Sequence, residues 1–217
     1  MLTGDAVRIT EPMTMTTDYV MGALAFVLAM RLLADAAAGR QLSARLWAAA
    51  FVMTAVAAFV GGTYHGFIQA MPAGTGRALW KITLVATGVG SACLLAAAVV
   101  AATAGPLRST LIAVVIVKFL VYAWTIAGKD QFVLVLADYA TAMLAVVLAA
   151  WFLRPTGLTP AAGWISAGVA VAVMAGLIQW ARVAPHVHFN HNDLFHVVQM
   201  ASLYLLYRGG VLLRDMQ

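Results

Sequence analysis

The sequence predicts an all-α, polytopic membrane protein, a bundle of seven transmembrane helices, and three observations carry that reading. Only 10% of the 217 residues are charged and 64% are hydrophobic, whereas a soluble domain carries about 25% charged residues. Apolar runs of roughly 20 residues or more, enough to cross a bilayer, recur along the whole length. Clusters of Pro and Gly, which end helices, separate the runs. With a mean hydropathy of +0.93 no stretch is polar enough for a separate soluble domain, so residues 1–217 are read as one transmembrane domain with a short polar segment at 1–16.

That first segment lacks the charged-then-apolar order of a cleavable signal, so the first apolar run is expected to be retained as a span. The first helix is placed at about 18–37 and the second at about 44–70. Met71-Pro72-Ala73-Gly74 then breaks the pattern, and a third helix follows at about 77–102. Gly105-Pro106 stops it, the fourth runs over about 107–127, and Gly128-Lys129-Asp130 turns the chain into a fifth at about 131–153. Helices 4 and 5 are expected to form a tight hairpin. Arg154-Pro155-Thr156-Gly157 reads as a loop, the sixth helix spans about 161–181, and the seventh about 192–213.

A net charge of +5 does not point to nucleic acid here, because the basic residues stand singly at the ends of apolar runs, where they set topology. With the N-terminus outside, the inner ends carry Arg31, Arg40, Arg45, Arg108, Arg154, Arg208 and Arg214; the outer ends carry Arg8, Arg77, Lys81, Lys129 and Arg182. That balance favours N-out and C-in. The single Cys93 excludes an intrachain disulfide and, within an apolar run, reads as a packing residue. Trp80, Trp124, Trp151, Trp164 and Trp180 read as interfacial anchors, and Gly88, Gly90, Gly168 and Gly176 as points of close helix packing.

Chemistry concentrates in the histidines. Four of the five lie in Pro185-His186-Val187-His188-Phe189-Asn190-His191-Asn192-Asp193-Leu194-Phe195-His196, and the fifth is His65. Seven spans put the exit of helix 2, the entry of helix 7 and the entry of helix 1 on one side of the membrane. His65, His196 and Asp18 therefore share a level. Ionisable groups within spans are costly and mark function by default. Imidazole is the commonest metal ligand, and a catalytic zinc site takes three protein ligands with one open position. His191 and His196 are five residues apart, too far around a helix for one face, so a third ligand is expected from His191 just before helix 7 or from His188 in the loop. Asn190 or Asn192 reads as a helix N-cap, Asp18 as either an N-cap or a neighbour of the metal, and Gln199 as a partner orienting a ligand. Lys118 and Asp138 are expected to meet across helices 4 and 5, with Asp138 either a buried ion-pair partner or a general base.

Gly61-Gly62-Thr63-Tyr64-His65, Asn192-Asp193-Leu194-Phe195-His196 and Thr17-Asp18-Tyr19 resemble motifs of the CREST superfamily. These seven-helix membrane hydrolases and receptors include the alkaline ceramidases and the progestin/adipoQ receptor and hemolysin III group. Members carry Ser-x-x-x-His at the end of helix 2 and His-x-x-x-His at the start of helix 7, and the three histidines bind zinc. Here Gly61 stands at the Ser position and Asn192 at the first His of the second motif, and no acid lies in 76–81 to match the Asp early in helix 3. The resemblance implies a zinc-dependent membrane hydrolase of a lipid amide or ester. Zinc would be held by His65, His196 and one of His188 or His191, with Asp18 or Asp138 as base and Thr63 or Tyr64 as a hydrogen-bond donor. The alternatives are a non-catalytic receptor or metal-binding protein on the same fold, and a bis-histidine haem protein using His65 and His196.

Overall fold

The computed structural model describes residues 8–153 and 156–217; residues 1–7 of the polar N-terminal segment, and Arg154 and Pro155 of the expected loop, lie outside the described residues. Among the described residues seven α-helices follow one another: α1 (Pro12–Gly39), α2 (Leu42–Phe67), α3 (Ala73–Ala102), α4 (Gly105–Gly128), α5 (Phe132–Phe152), α6 (Ala162–Trp180) and α7 (His191–Val211). Among the described residues there is no strand, only an isolated bridge between His186 and Phe189.

The helix starts follow local chemistry. Pro12 opens α1 and Pro106 lies in the first turn of α4, positions where the missing amide proton has no intrahelical use. α1 therefore begins six residues before the expected start, and Asp18 lies inside the helix rather than capping it. Asn190 caps α7: its side chain accepts from the Asn192 and Asp193 amides, and Asp193 reaches back to the Asn190 amide, a reciprocal capping box.

Six helices, α1 to α6, are long and apolar enough to cross a membrane, which marks a multi-pass membrane protein. α7 falls outside that set because His191, Asn192, Asp193, His196, Gln199 and Arg208 lie along it. Packing buries its polar face instead: Asp193 and Ser202 are fully buried and His196 is 7% exposed.

Contacts between α1 and α2, α2 and α3, α3 and α5, α5 and α6, α6 and α7, and α7 and α1 close a ring of six helices. α4 stands outside it against α3. The expected hairpin of helices 4 and 5 is thus replaced by two helices that each pack on α3. The Tyr122 hydroxyl of α4 donates to the Leu84 carbonyl at 2.8 Å, and its ring fits only because residue 88 is glycine: a Cβ there would lie 2.2 Å from it. The outer face of α4, with Val117, Val121 and Trp124, is exposed. Lys118 does meet Asp138, as expected, and also donates to Ser91 Oγ at 3.2 Å.

Of the tryptophans read as anchors, Trp124, Trp151 and Trp180 are exposed. Trp80 instead stacks within the bundle on Tyr64 and Phe132, and Trp164 carries the Arg208 guanidinium 4.4 Å above its ring. Trp47, fully buried, donates to the Leu206 carbonyl at 3.0 Å and ties α2 to α7.

The chain end binds the face of the ring where α7 finishes. Asp215 accepts from the amides of Leu42 and Ser43 at 2.7 and 2.8 Å, capping α2 from a distance. The Met216 amide donates to the Val100 carbonyl at 3.1 Å, and Arg108 donates to the Thr103 carbonyl at 2.8 Å. Burial opposes the Asp215 charge, but hydrogen bonds from Ser43 and Leu42 and the field of Arg108 outweigh it and hold the carboxyl below its ordinary pKa.

Two outcomes follow. Asp215→Asn is expected to cost about 1 kcal/mol at neutral pH, the usual worth of a helix cap. A carboxyl with a depressed folded pKa stabilises fully above its unfolded value of about 3.9 and loses that contribution as pH falls through the folded value. The difference in thermal midpoint between wild type and variant should therefore persist at pH 7 and shrink below about pH 4. In a double-mutant cycle, Lys118→Met or Asp138→Leu alone should each cost about 3–5 kcal/mol, and the double replacement less than either. Additive losses would show that the pair is not coupled.

Candidate functional site

α1 and α7 run in the same direction, and their first turns are joined by a ladder of polar contacts. The Thr14 hydroxyl donates to Asp193 Oδ1 at 2.8 Å. Three residues on, Thr17 Oγ1 lies 2.9 Å from His196 Nδ1. Next to it, Asp18 Oδ1 lies 3.2 Å from His196 Nε2. Residues three and four apart share a helix face, so α1 presents Thr14, Thr17 and Asp18 to Asn190, Asp193 and His196. All but Asn190 are buried.

This ladder fixes the histidine. The Thr17 hydroxyl has one proton and lies 3.1 Å from the Thr14 carbonyl; when it donates there it accepts from His196, and a neutral His196 then carries its proton on Nδ1 and turns Nε2 towards Asp18.

α2 completes the wall. Gly62 lets α1 come close, since a Cβ there would lie 2.9 Å from Asp18 Cβ and from the Tyr19 ring. Gly61 is different: a Cβ would meet Thr83 Cγ2 at 3.6 Å and Asp18 Oδ2 at 3.8 Å, ordinary contacts, so the glycine leaves a notch beside the carboxyl. His65, one turn on, places Nδ1 3.1 Å from Glu11 Oε2, and the Thr10 amide donates to the Gly66 carbonyl at 2.8 Å.

Asp18, Gly61, His65 and His196 line an open-sided cavity of about 540 Å³ among the helices of the ring, within the range of small-molecule sites. Trp80, Phe132, Leu136, Val169, Val173, Leu177 and Phe195 make most of it apolar, and Thr83, Gln179, Asn192 and Gln199 add polar points. The lining comes from α1, α2, α3, α5, α6 and α7, none of it from α4.

The expected residues divide accordingly. Asp18, His65 and His196 come together on the cavity wall, and Gln199 lies on it too. Thr63 is engaged elsewhere, donating to the Phe59 carbonyl at 2.8 Å and lying 3.0 Å from the Tyr19 hydroxyl. Asp138 is held by Lys118 away from the lining. His188 belongs to an exposed turn in which its amide donates to His186 Nδ1 at 3.1 Å. His191 is the first residue of α7 and does not line the cavity. The expected zinc ligands are therefore not gathered, and among the described residues no three His, Cys, Asp or Glu side chains converge as a metal site. The donor set does not fit a three-ligand zinc centre. Nor is the His196 Nε2 free for haem iron, since Asp18 engages it.

Thr14, Thr17, Glu11, Gln179 and Asp193 were not among the expected site residues. For Thr14, Thr17 and Asp193 the signal was spacing: Thr14, Thr17 and Asp18 on one helix, and Asn190, Asp193 and His196 on the other, each repeat at a helical interval.

Nitrogen-15 NMR of His196 in membrane-reconstituted protein tests the ladder. Wild type and Thr17→Ser should show the Nδ1-protonated form. Thr17→Val, which strands a buried N–H, should shift the tautomer balance and cost about 1–3 kcal/mol. Identical spectra for all three would remove Thr17 from any role in setting the tautomer.

No curated protein and no solved structure matches the chain significantly. Residues 13–215 match the model of a family of unknown function, DUF6962, and with nearly the whole chain inside that match the protein belongs to this family.

Proposed function

We propose that this protein is a seven-span membrane hydrolase, N-terminus outside, that cleaves the amide or ester linkage of a lipid. The observation that supports the reading most is the Asp18–His196 pair, 3.2 Å apart, on the wall of a mostly apolar cavity. A cavity ringed by apolar spans suits an acyl chain, and the paired groups sit near helix ends, the level of head-group linkages.

In the proposed reaction a water held in the notch at Gly61 attacks the substrate carbonyl. Its oxygen bonds to the carbonyl carbon as one proton passes to the Asp18–His196 pair. The carbon–nitrogen or carbon–oxygen bond then breaks, and the pair returns the proton to the departing amine or alcohol. A fatty acid and a head group result, with atoms and charge balanced. General acid–base catalysis of this kind contributes about 10²–10⁴-fold. No step is routed through a metal, because the donors do not converge.

The second reading is a receptor that binds the same ligand without cleaving it. Gly61 supports it, since position 61 itself supplies no side-chain hydroxyl beside Asp18 to act as nucleophile or donor.

Purified protein in nanodiscs, given a panel of N-acyl and O-acyl lipids, should release fatty acid. Asp18→Asn should lower the rate by at least about 10²-fold with substrate affinity retained. Binding without release by wild type would replace the hydrolase with the receptor.

A further inference from the structure

Gln179 lies in the last turn of α6 and Asn192 in the first turn of α7. The Gln179 side-chain amide donates to Asn192 Oδ1 at 2.8 Å, and both residues line the cavity. The Gln179 carbonyl oxygen, Oε1, is buried and has no partner. Buried oxygens of Thr10 and Ser43 also have no hydrogen-bond partner, and Glu11 Oε2 has only the His65 ring 3.1 Å away; none of those residues lines the cavity. A buried acceptor without a proton is costly until something supplies one. Nothing among the described residues does so, and because Gln179 lines the cavity a turn of its side-chain amide would bring Oε1 to a ligand.

We infer that Gln179, oriented by Asn192, is the recognition point for a neutral hydrogen-bond donor on the cavity's ligand, an amide N–H or a hydroxyl. This rests on the reading of the cavity as a lipid site and adds the head-group chemistry. Around the pair the walls are apolar, with Leu177, Trp180 and Phe132 nearby in the lining, so an uncharged group is the fitting partner. A ligand that offers only acceptors places oxygen against oxygen and leaves Oε1 unsatisfied. Sites built to hydrogen-bond a ligand discriminate strongly against the analogue that lacks the group, because a buried polar atom is then stranded.

Two probes with the same chain separate the possibilities: terminally brominated dodecanamide, which has N–H donors, and terminally brominated methyl dodecanoate, which has none. Bromine quenches tryptophan emission, and Trp80 and Trp180 line the cavity. Saturable quenching in nanodiscs, measured against probe mole fraction, reads the affinity. Wild type is expected to bind the amide at least about tenfold more tightly than the ester. Gln179→Met, close in size and without the acceptor, should bring the ratio below about twofold.

Equal affinities in wild type, a preference for the ester, no saturable binding of either probe, or an undiminished ratio in Gln179→Met would each overturn the assignment. If that variant does not fold, the wild-type ratio still decides. Neither measurement needs turnover. Discrimination without hydrolysis would remove the hydrolase reading and leave the subsite, whereas hydrolysis without discrimination would remove the subsite alone.

Discussion

The seam between α1 and α7 is the constraint on which the rest of the structure depends. Among the described residues α7 is the one α-helix that is not apolar enough to cross a membrane by its composition, yet Asp193 and His196 on it are buried. Burying such groups is unfavourable unless each finds a partner. The partners come from the first turns of α1: Thr14 for Asp193 and Thr17 and Asp18 for His196. Two parallel helices advance at the same rise per residue, so a pair made at one level sets the register of the next. Slipping α7 by one residue would break the ladder at every rung.

Closure of the ring has two unlike ends. Where α7 finishes, the chain end is bound to the start of α2, to the end of α3 and to Gly157, and Leu213 is fully buried. The links to Gly157 and to α3 are backbone to backbone, and those to α2 run through the Asp215 carboxylate. Where α7 begins, the joining segment from α6 is exposed, and the elements meet through side chains. The cavity lies at that end. Local stability is lowest where contacts are fewest, and binding sites are drawn from such regions. α4 fits the same division: it lines no part of the cavity and is tied to the ring by Tyr122 and the Lys118–Asp138 pair.

Much of the fold was legible because apolar runs and Pro/Gly breaks are strong, local signals. The helix count and order followed from them directly. Boundaries were less secure: the Thr- and Met-rich stretch before Asp18 looked like a polar lead-in, and only Pro12 marked the true start of α1. That error turned Asp18 from a buried helix-interior residue into a candidate cap. His65, His196 and Asp18 were found by matching depths, which rests on geometry shared by all antiparallel spans. His188 and His191 were not placed well, because a loop's path depends on turns such as the His186–Phe189 bridge that composition does not specify. Thr14, Thr17 and Gln179 escaped notice for a different reason. Single hydroxyls and amides in apolar helices are common, and their meaning comes only from the helix they face.

The difference between satisfied and unsatisfied polar groups separates the parts that make the fold from the parts that act. Asp193 accepts from Thr14 and Asn190, Ser202 donates to the Gly168 carbonyl, and Trp47 to the Leu206 carbonyl. Each is saturated, rigid and far from needing a ligand. On the cavity wall the account is open: Gln179 has an acceptor with no donor, and Asp18 faces a notch that a side chain at position 61 would occupy without strain. A protein selected only for stability would fill the notch and pair the acceptor, since buried polar atoms left alone cost free energy. Both omissions border one cavity; under the proposed function a ligand's own groups, an electrophilic linkage near Asp18 and a donor near Gln179, would complete them.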